Sequence, residues 1–299
     1  MEPVNLLKPP VQRSAPRPPA RAPVRPLAPP PGASAPPAAP NPRRFAFGEI
    51  RPAMAQRIGM YGPGGVGKTS QACRAPGPVA IFDFDDSLPV LRPSLGTLDI
   101  RPIQDVHTWL DLREALHDPA LWEGIRTIVI DSLTRAEQLV IAHTLATVKN
   151  DKNQPVTSIE GYGFGKGYRH VFETVLPLLA DLDAHIRAGR NVVLIMHECT
   201  ATVPNPEGED YIRWEPRLQG QNNGNIRLAT KEWLDHLLCI RFDLSVNADG
   251  KASGGETRTI YPVESAVHMA KSRSLKEPFE FTEGSDELWK RLYPAQGGA

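Results

Sequence analysis

Lys68 and Thr69 close the run Gly62-Pro63-Gly64-Gly65-Val66-Gly67-Lys68-Thr69, and the spacing G-x-x-x-x-G-K-T is that of a loop built to hold phosphate. The glycines allow backbone angles closed to residues with a Cβ, so successive N–H groups can turn inward around an anion. Lys68 would then face the β and γ phosphates and Thr69 would offer its hydroxyl to Mg²⁺, with Ser70 completing the binding stretch 62–70. Arg57-Ile58-Gly59-Met60-Tyr61 before it reads as a short buried strand, and Ser70-Gln71-Ala72-Cys73 after it can start a helix. Strand, glycine loop and helix are the context a P-loop requires, which implies binding of a nucleoside triphosphate with Mg²⁺.

Other residues could complete that chemistry. Asp131 ends the apolar run Arg126-Thr127-Ile128-Val129-Ile130, the place from which an acid holds Mg²⁺ through water; capping the helix that begins near Leu133 is the structural alternative. Asp83, Asp85 and Asp86 end the next candidate strand, Val79 to Phe84. If that strand lies beside the first, one of the three would orient or deprotonate the attacking water, the alternative being a solvated acidic turn. His197 ends the run Asn191 to Met196, where a neutral imidazole could donate to the γ-phosphate and change partner on hydrolysis. A zinc-protease reading of His197-Glu198 is excluded, because Ala201 stands where the second His is required.

The elements that would position these groups follow from apolar periodicity. Leu98 to Ile103 reads as a third short strand, and Val106 to His117 as a helix with Trp109, Leu112 and Leu116 on one face. A further helix runs from about Leu133 to Val148. Lys149 to Gly167 reads as a long loop. Tyr168 to Arg187 is a helix with Val171, Val175, Leu178, Leu179, Leu182 and Ile186 in one stripe and a kink at Pro177. Glu198 to about Asn225 reads as a second long polar loop and Arg227 to Leu234 as a helix. Leu237 to Leu244, Thr257 to Val263 and Val267 to Ser272 read as strands joined by tight turns, the first at Asn247-Ala248-Asp249-Gly250. The order indicates an α/β fold, a mostly parallel sheet flanked by helices with a C-terminal antiparallel extension.

Charge is unevenly placed. Residues 1–44 hold seven basic residues against the single acid Glu2, and the rest of the chain balances that excess, the formal net charge being zero. A whole-surface electrostatic case for nucleic-acid binding therefore fails on the folded part. The Pro/Ala/Arg tract 1–45 cannot bury enough apolar surface to fold and reads as a disordered tether ahead of a single domain, 46–299. Cys73, Cys199 and Cys239 are widely spaced and odd in number, which reads as reduced thiols in a cytoplasmic protein, and no run has the length of a membrane span.

Taken together, the P-loop, the Asp83-Phe84-Asp85 strand end, the apolar strand ending in Asp131, the polar strand end His197 and the long loops resemble the RecA-like ATPase core, in particular the RecA-like ATP-binding proteins of bacteriophages that act in single-strand annealing and recombination. The resemblance spans about Arg57 to Phe281. It implies ATP as the nucleotide, with Asp85 in the place of the glutamate that activates water, one methylene shorter, and His197 as γ-phosphate sensor beside Lys68. It also implies that the loops 149–167 and 199–225 meet single-stranded DNA, through Tyr162, Phe164, Lys166, Arg169, Arg213 and Arg217. Ala270-Lys271-Ser272-Arg273 resembles the Lys-x-Arg by which RecA-like ring proteins reach a neighbour's γ-phosphate, so Lys271 and Arg273 would act in trans in a filament or ring. A helicase-like motor or loader and an ATP-gated scaffold without turnover are the competing readings. A phosphotransferase is disfavoured for want of an arginine-rich lid, and a GTPase because Thr230-Lys231-Glu232-Trp233 lacks a guanine-reading Asp.

Overall fold

The computed structural model describes residues 55–221, 224–246 and 252–294, with Phe47 and Glu49. The tether expected at 1–45 and the turn expected at 247–250 lie outside them. The elements all fall in the unit Arg51–Ala299. In chain order they begin with β1 (Arg57–Tyr61), α1 (Lys68–Ala72), β2 (Val79–Asp83), α2 (Leu88–Leu95), β3 (Ile100–Pro102), α3 (Trp109–His117), β4 (Thr127–Asp131) and α4 (Leu133–Thr147). A 3-10 turn (Ile159–Tyr162) precedes α5 (Lys166–Arg187), β5 (Asn191–Met196), β6 (Glu198–Val203), β7 (Tyr211–Pro216) and α6 (Ile226–Trp233). The chain ends with β8 (His236–Val246), β9 (Ala252–Tyr261), β10 (Lys271–Ser272), β11 (Phe279–Phe281) and α7 (Glu287–Leu292).

The main sheet has the order β11-β9-β8-β1-β5-β4-β2-β3, with β10 also paired to β8. From β8 to β3 neighbouring strands are parallel; β9, β10 and β11 add antiparallel, giving the expected extension. One expectation about that order is corrected: β2 is not beside β1, because β5 and β4 lie between them. The strand ends still meet, since Asp83 is in register with Asp131 and Asp131 with Ile195.

Alternation along the strands divides the core into two. Ile128, Ile130, Val192, Leu194 and Met196 pack under α3, α4 and α5, while Ile58, Met60, Val129, Val193 and Ile195 pack on the other face with α1 and α7. Strands apolar on both faces are what a helix-covered parallel sheet needs. α3 starts at Trp109 and not Val106 because Thr108 and Asp111 form a reciprocal cap, with the Asp111 N–H donating to Thr108 Oγ1 at 3.1 Å and the Thr108 N–H to Asp111 Oδ2 at 2.8 Å. α5 runs through Pro177 as one helix with the expected apolar stripe inward.

The sequence expectations do not include α2, β11 and α7, which are short and show no sustained period. The expected strand 267–272 reduces to β10 and a single bridge between His268 and Trp214. The expected loop 198–225 is largely a β6–β7 hairpin, turned at Asn205, whose side chain accepts from the Glu207 N–H at 3.1 Å and donates to the Glu209 carbonyl at 3.3 Å. Among the described residues no helix is long and apolar enough to cross a membrane.

Candidate active site

The loop after β1 approaches the β8 backbone so closely that a Cβ on Gly62 would stand 2.0 Å from the Ile240 carbonyl oxygen, and Gly67 has φ +94°. Only glycine fits the first position, and the second is strained for any other residue. Val66 is buried in the core between them. Lys68 is only 8% exposed, and its Nζ donates to the carbonyls of Gly62 at 2.9 Å and Pro63 at 2.7 Å. Burial lowers its pKa, against the opposing fields of Asp131, Glu198 and Asp85.

Thr69 Oγ1 donates to Asp131 Oδ2 at 2.6 Å, joining the start of α1 to the end of β4. Ser87 Oγ reaches the same oxygen at 3.4 Å. Burial pushes the Asp131 carboxyl up to about 6, the Thr69 hydrogen bond opposing and the nearby Asp85 and Asp83 reinforcing it. A buried carboxylate beside a hydroxyl oxygen is a pair of hard-oxygen donors, so Thr69 and Asp131 fit Mg²⁺ brought in by phosphates. Mg²⁺ in that place would neutralise charge on the β and γ phosphates. Among the described residues no group of three or more His, Cys, Asp or Glu forms a metal site, so one or two protein oxygens plus phosphate is the donor set on offer.

The three acids after β2 separate by role. Asp83 caps α2, accepting from the Ser87 N–H at 3.0 Å, Ser87 Oγ at 3.0 Å and the Leu88 N–H at 2.9 Å. Asp86 is exposed at φ +51°. Asp85 lies 3.1 Å from His197 Nε2, with Arg135 Nε 3.6 Å from its other oxygen. Burial lowers the His197 pKa more than the Asp85 charge raises it, so the imidazole is neutral near pH 7 and its Nε2–H can donate to Asp85. The His197 N–H donates to Thr134 Oγ1 at 3.1 Å, and that hydroxyl donates to the Arg217 carbonyl at 3.2 Å. Ser87, Thr134 and Arg135 carried no signal in the sequence; Ser and Thr at helix starts read as caps, and Arg135 as a solvated helix cation.

The residues expected at DNA scatter. Tyr162 is buried, its hydroxyl donating to the Thr144 and Val148 carbonyls at 3.1 and 2.9 Å. Phe164 is 98% exposed at φ +49°. Lys166 pairs with Asp151, and Arg169 with Glu173 at 2.8 Å. Arg213, its side chain 10% exposed, lies between Glu215 at 2.8 Å and Glu264 at 2.7 Å. Arg217 is exposed and lies beside His197, its backbone N–H donating to the His197 carbonyl at 2.9 Å. Lys271 Nζ donates to the Lys231, Glu232 and Leu234 carbonyls at 3.1, 2.9 and 2.6 Å, closing the end of α6. Arg273 pairs with Asp235 at 2.8 Å. Both stand by the start of β8, at the sheet edge opposite their own P-loop, since Ser272 pairs with His236 and His236 with Ile58.

A P-loop on an inner strand of a mostly parallel sheet, with Lys68, Thr69 and Asp131 at one edge, defines the class: an α/β P-loop nucleotide-binding domain. Residues 54–274 match the AAA domain family, and the chain belongs to it. It is thus an AAA-type P-loop ATPase-like domain. No curated protein matches the sequence.

Proposed function

We propose that this protein hydrolyses Mg·ATP, with Asp85 orienting the attacking water and His197 sensing the γ-phosphate, and that it couples turnover to single-stranded DNA in the manner of the bacteriophage RecA-like proteins it resembles. The observation that carries the ATPase reading is the shared edge on which Thr69 meets Asp131 at 2.6 Å and Asp85 meets His197 at 3.1 Å. Lys68, held by two loop carbonyls, exchanges those acceptors for phosphate oxygens, a charge-assisted replacement. His197 exchanges Asp85 for the γ-phosphate, which leaves Asp85 free to accept a proton from water.

The DNA reading rests on Phe164, an exposed ring available for stacking, beside cations held only in surface ion pairs that a phosphate can displace. Phosphate release measured with and without single-stranded DNA tests both parts. Lys68→Ala is expected to abolish turnover, and Asp85→Asn to lower kcat by about 10²-fold or more with ATP affinity retained. DNA is expected to raise the rate, and Phe164→Ala to blunt that rise alone. Turnover unchanged at saturating DNA in low salt would remove the DNA part, directional unwinding would place the protein among helicase-like motors, and binding without turnover would make it an ATP-gated scaffold.

A further inference from the structure

Arg258 of β9 is not part of the edge described above, yet it touches the P-loop from the other side. Its Nη1 lies 3.2 Å from where a Cβ on Gly67 would stand, and the ring of Phe281 is 3.9 Å from the same point. Across the ladder Arg258 is paired with Phe242 of β8 and with Phe281 of β11, so all three side chains share one sheet face, the one that carries α1 and α7. The guanidinium lies over the Phe242 ring at 5.5 Å, and its Nη2 is held by Glu283 Oε2 at 3.1 Å. That leaves Nη1, which is buried and has no hydrogen-bond partner among the described residues. A buried guanidinium N–H left without an acceptor costs its full desolvation, so an acceptor is missing from the picture. The ligand that the neighbouring loop is built for is a polyphosphate, and phosphate oxygens are the strongest acceptors for this donor.

We propose that Arg258 is a phosphate-binding residue of the same subunit, reaching the bound nucleotide from the antiparallel extension and held in place by Glu283 and Phe242. This rests on the P-loop reading. It assigns a function to the extension, which closes the nucleotide site on the side away from Asp131 and makes triphosphate binding depend on strands that are not part of the parallel sheet. Gly67 is favoured by its positive φ, and a Cβ there would also crowd the guanidinium at 3.2 Å.

The test is calorimetric binding of Mg·ATP and of inorganic tripolyphosphate to the whole chain and to Arg258→Ala, Arg258→Gln and Arg258→Lys, with folding followed by circular dichroism. Loss of one charge-assisted hydrogen bond is expected to weaken both ligands by about ten- to a hundred-fold in Arg258→Ala and Arg258→Gln, and Arg258→Lys is expected to recover part of each. Affinities within about two-fold of the unsubstituted chain would overturn the proposal. So would weakening of ATP alone, which places the contact on the nucleoside, or retention of affinity by Arg258→Gln, which makes the residue packing and not charge. If Arg258→Ala does not fold, the Gln and Lys pair gives the same comparison. If the unsubstituted chain binds neither ligand, the P-loop reading itself fails and takes this one with it; normal binding that is indifferent to Arg258 removes this one only.

Discussion

Asp131 sits in an environment unfavourable to its own charge, buried and close to two further carboxylates, with the Thr69 hydroxyl, the more distant Ser87 hydroxyl and the Lys68 charge as partial compensation. Its folded pKa is raised above the unfolded value, so its contribution to stability is greatest below about pH 4 and is lost as pH rises through about 6. Asp131→Asn keeps an acceptor for Thr69 and removes the charge. Without nucleotide the variant is expected to be more stable than the parent at pH 7.5, by on the order of 1–3 kcal/mol in urea unfolding, while Mg²⁺-dependent ATP affinity falls. An unchanged midpoint with undiminished Mg²⁺ dependence would show that Asp131 is a cap and no more. Lys68, Thr69 and Asp131 were legible in the sequence because the signal is local: a fixed spacing of glycines, and an acid directly after an apolar run. The Asp85–His197 contact was not, because it joins residues 112 apart in sequence through the insertion of β5 and β4 between β1 and β2, which no local pattern encodes.

Elements with strong periods were legible and short ones were not. β4 and β5 are continuous apolar runs and α5 has an unbroken stripe, whereas the β6–β7 hairpin alternates half-buried Cys199, Ala201 and Val203 with exposed Thr200 and Thr202, too polar to stand out from a loop. The hairpin begins one residue after His197 and returns at Arg217, where α4 holds the chain. Thr134 bonds the Arg217 carbonyl, and Glu137 Oε1 accepts from the Gln219 N–H at 2.8 Å. Burial pushes the Glu137 carboxyl up to about 7, the Gln219 hydrogen bond and Arg227 only partly opposing it. A raised folded pKa means stability that is full below about pH 4.5 and lost as pH rises through about 7, a loss of about 3 kcal/mol. Glu137→Gln keeps the acceptor and loses the titration, so unfolding free energy measured from pH 4.5 to 8 is expected to be flatter than in the parent by about that amount. A parallel pair of pH profiles would show that Glu137 is ionised in the fold and paired more strongly than its surroundings indicate.

At the scale of the molecule, the sheet holds two sets of charged groups at opposite edges, and the sequence expectation assigns the second set to a neighbour's site. Lys68, Asp85, Asp131 and His197 occupy the carboxyl edge; Lys271 and Arg273 occupy the opposite one. Lys271 is committed to the end of α6, and its removal would destabilise that helix. Arg273 is different: its side chain is 67% exposed and held by one surface ion pair, which contributes about 0–1 kcal/mol. From the edge opposite its own P-loop it would act on a nucleotide held by another copy of the chain, a proposal that a mixing experiment tests. Arg273→Ala is expected to fold normally, bind ATP with unchanged affinity and lose about 10²-fold or more in kcat, in line with removal of an arginine finger. Lys68→Ala is expected to be inactive but to carry an intact Arg273. If copies assemble in this way, some interfaces of an equimolar mixture would join an intact P-loop of one variant to the intact Arg273 of the other, so activity is expected to reappear at a fraction of the parent's and to grow with total concentration. No recovery on mixing, or a kcat for Arg273→Ala equal to that of the parent, would mean that Arg273 does no more than hold Asp235 and that each subunit hydrolyses alone.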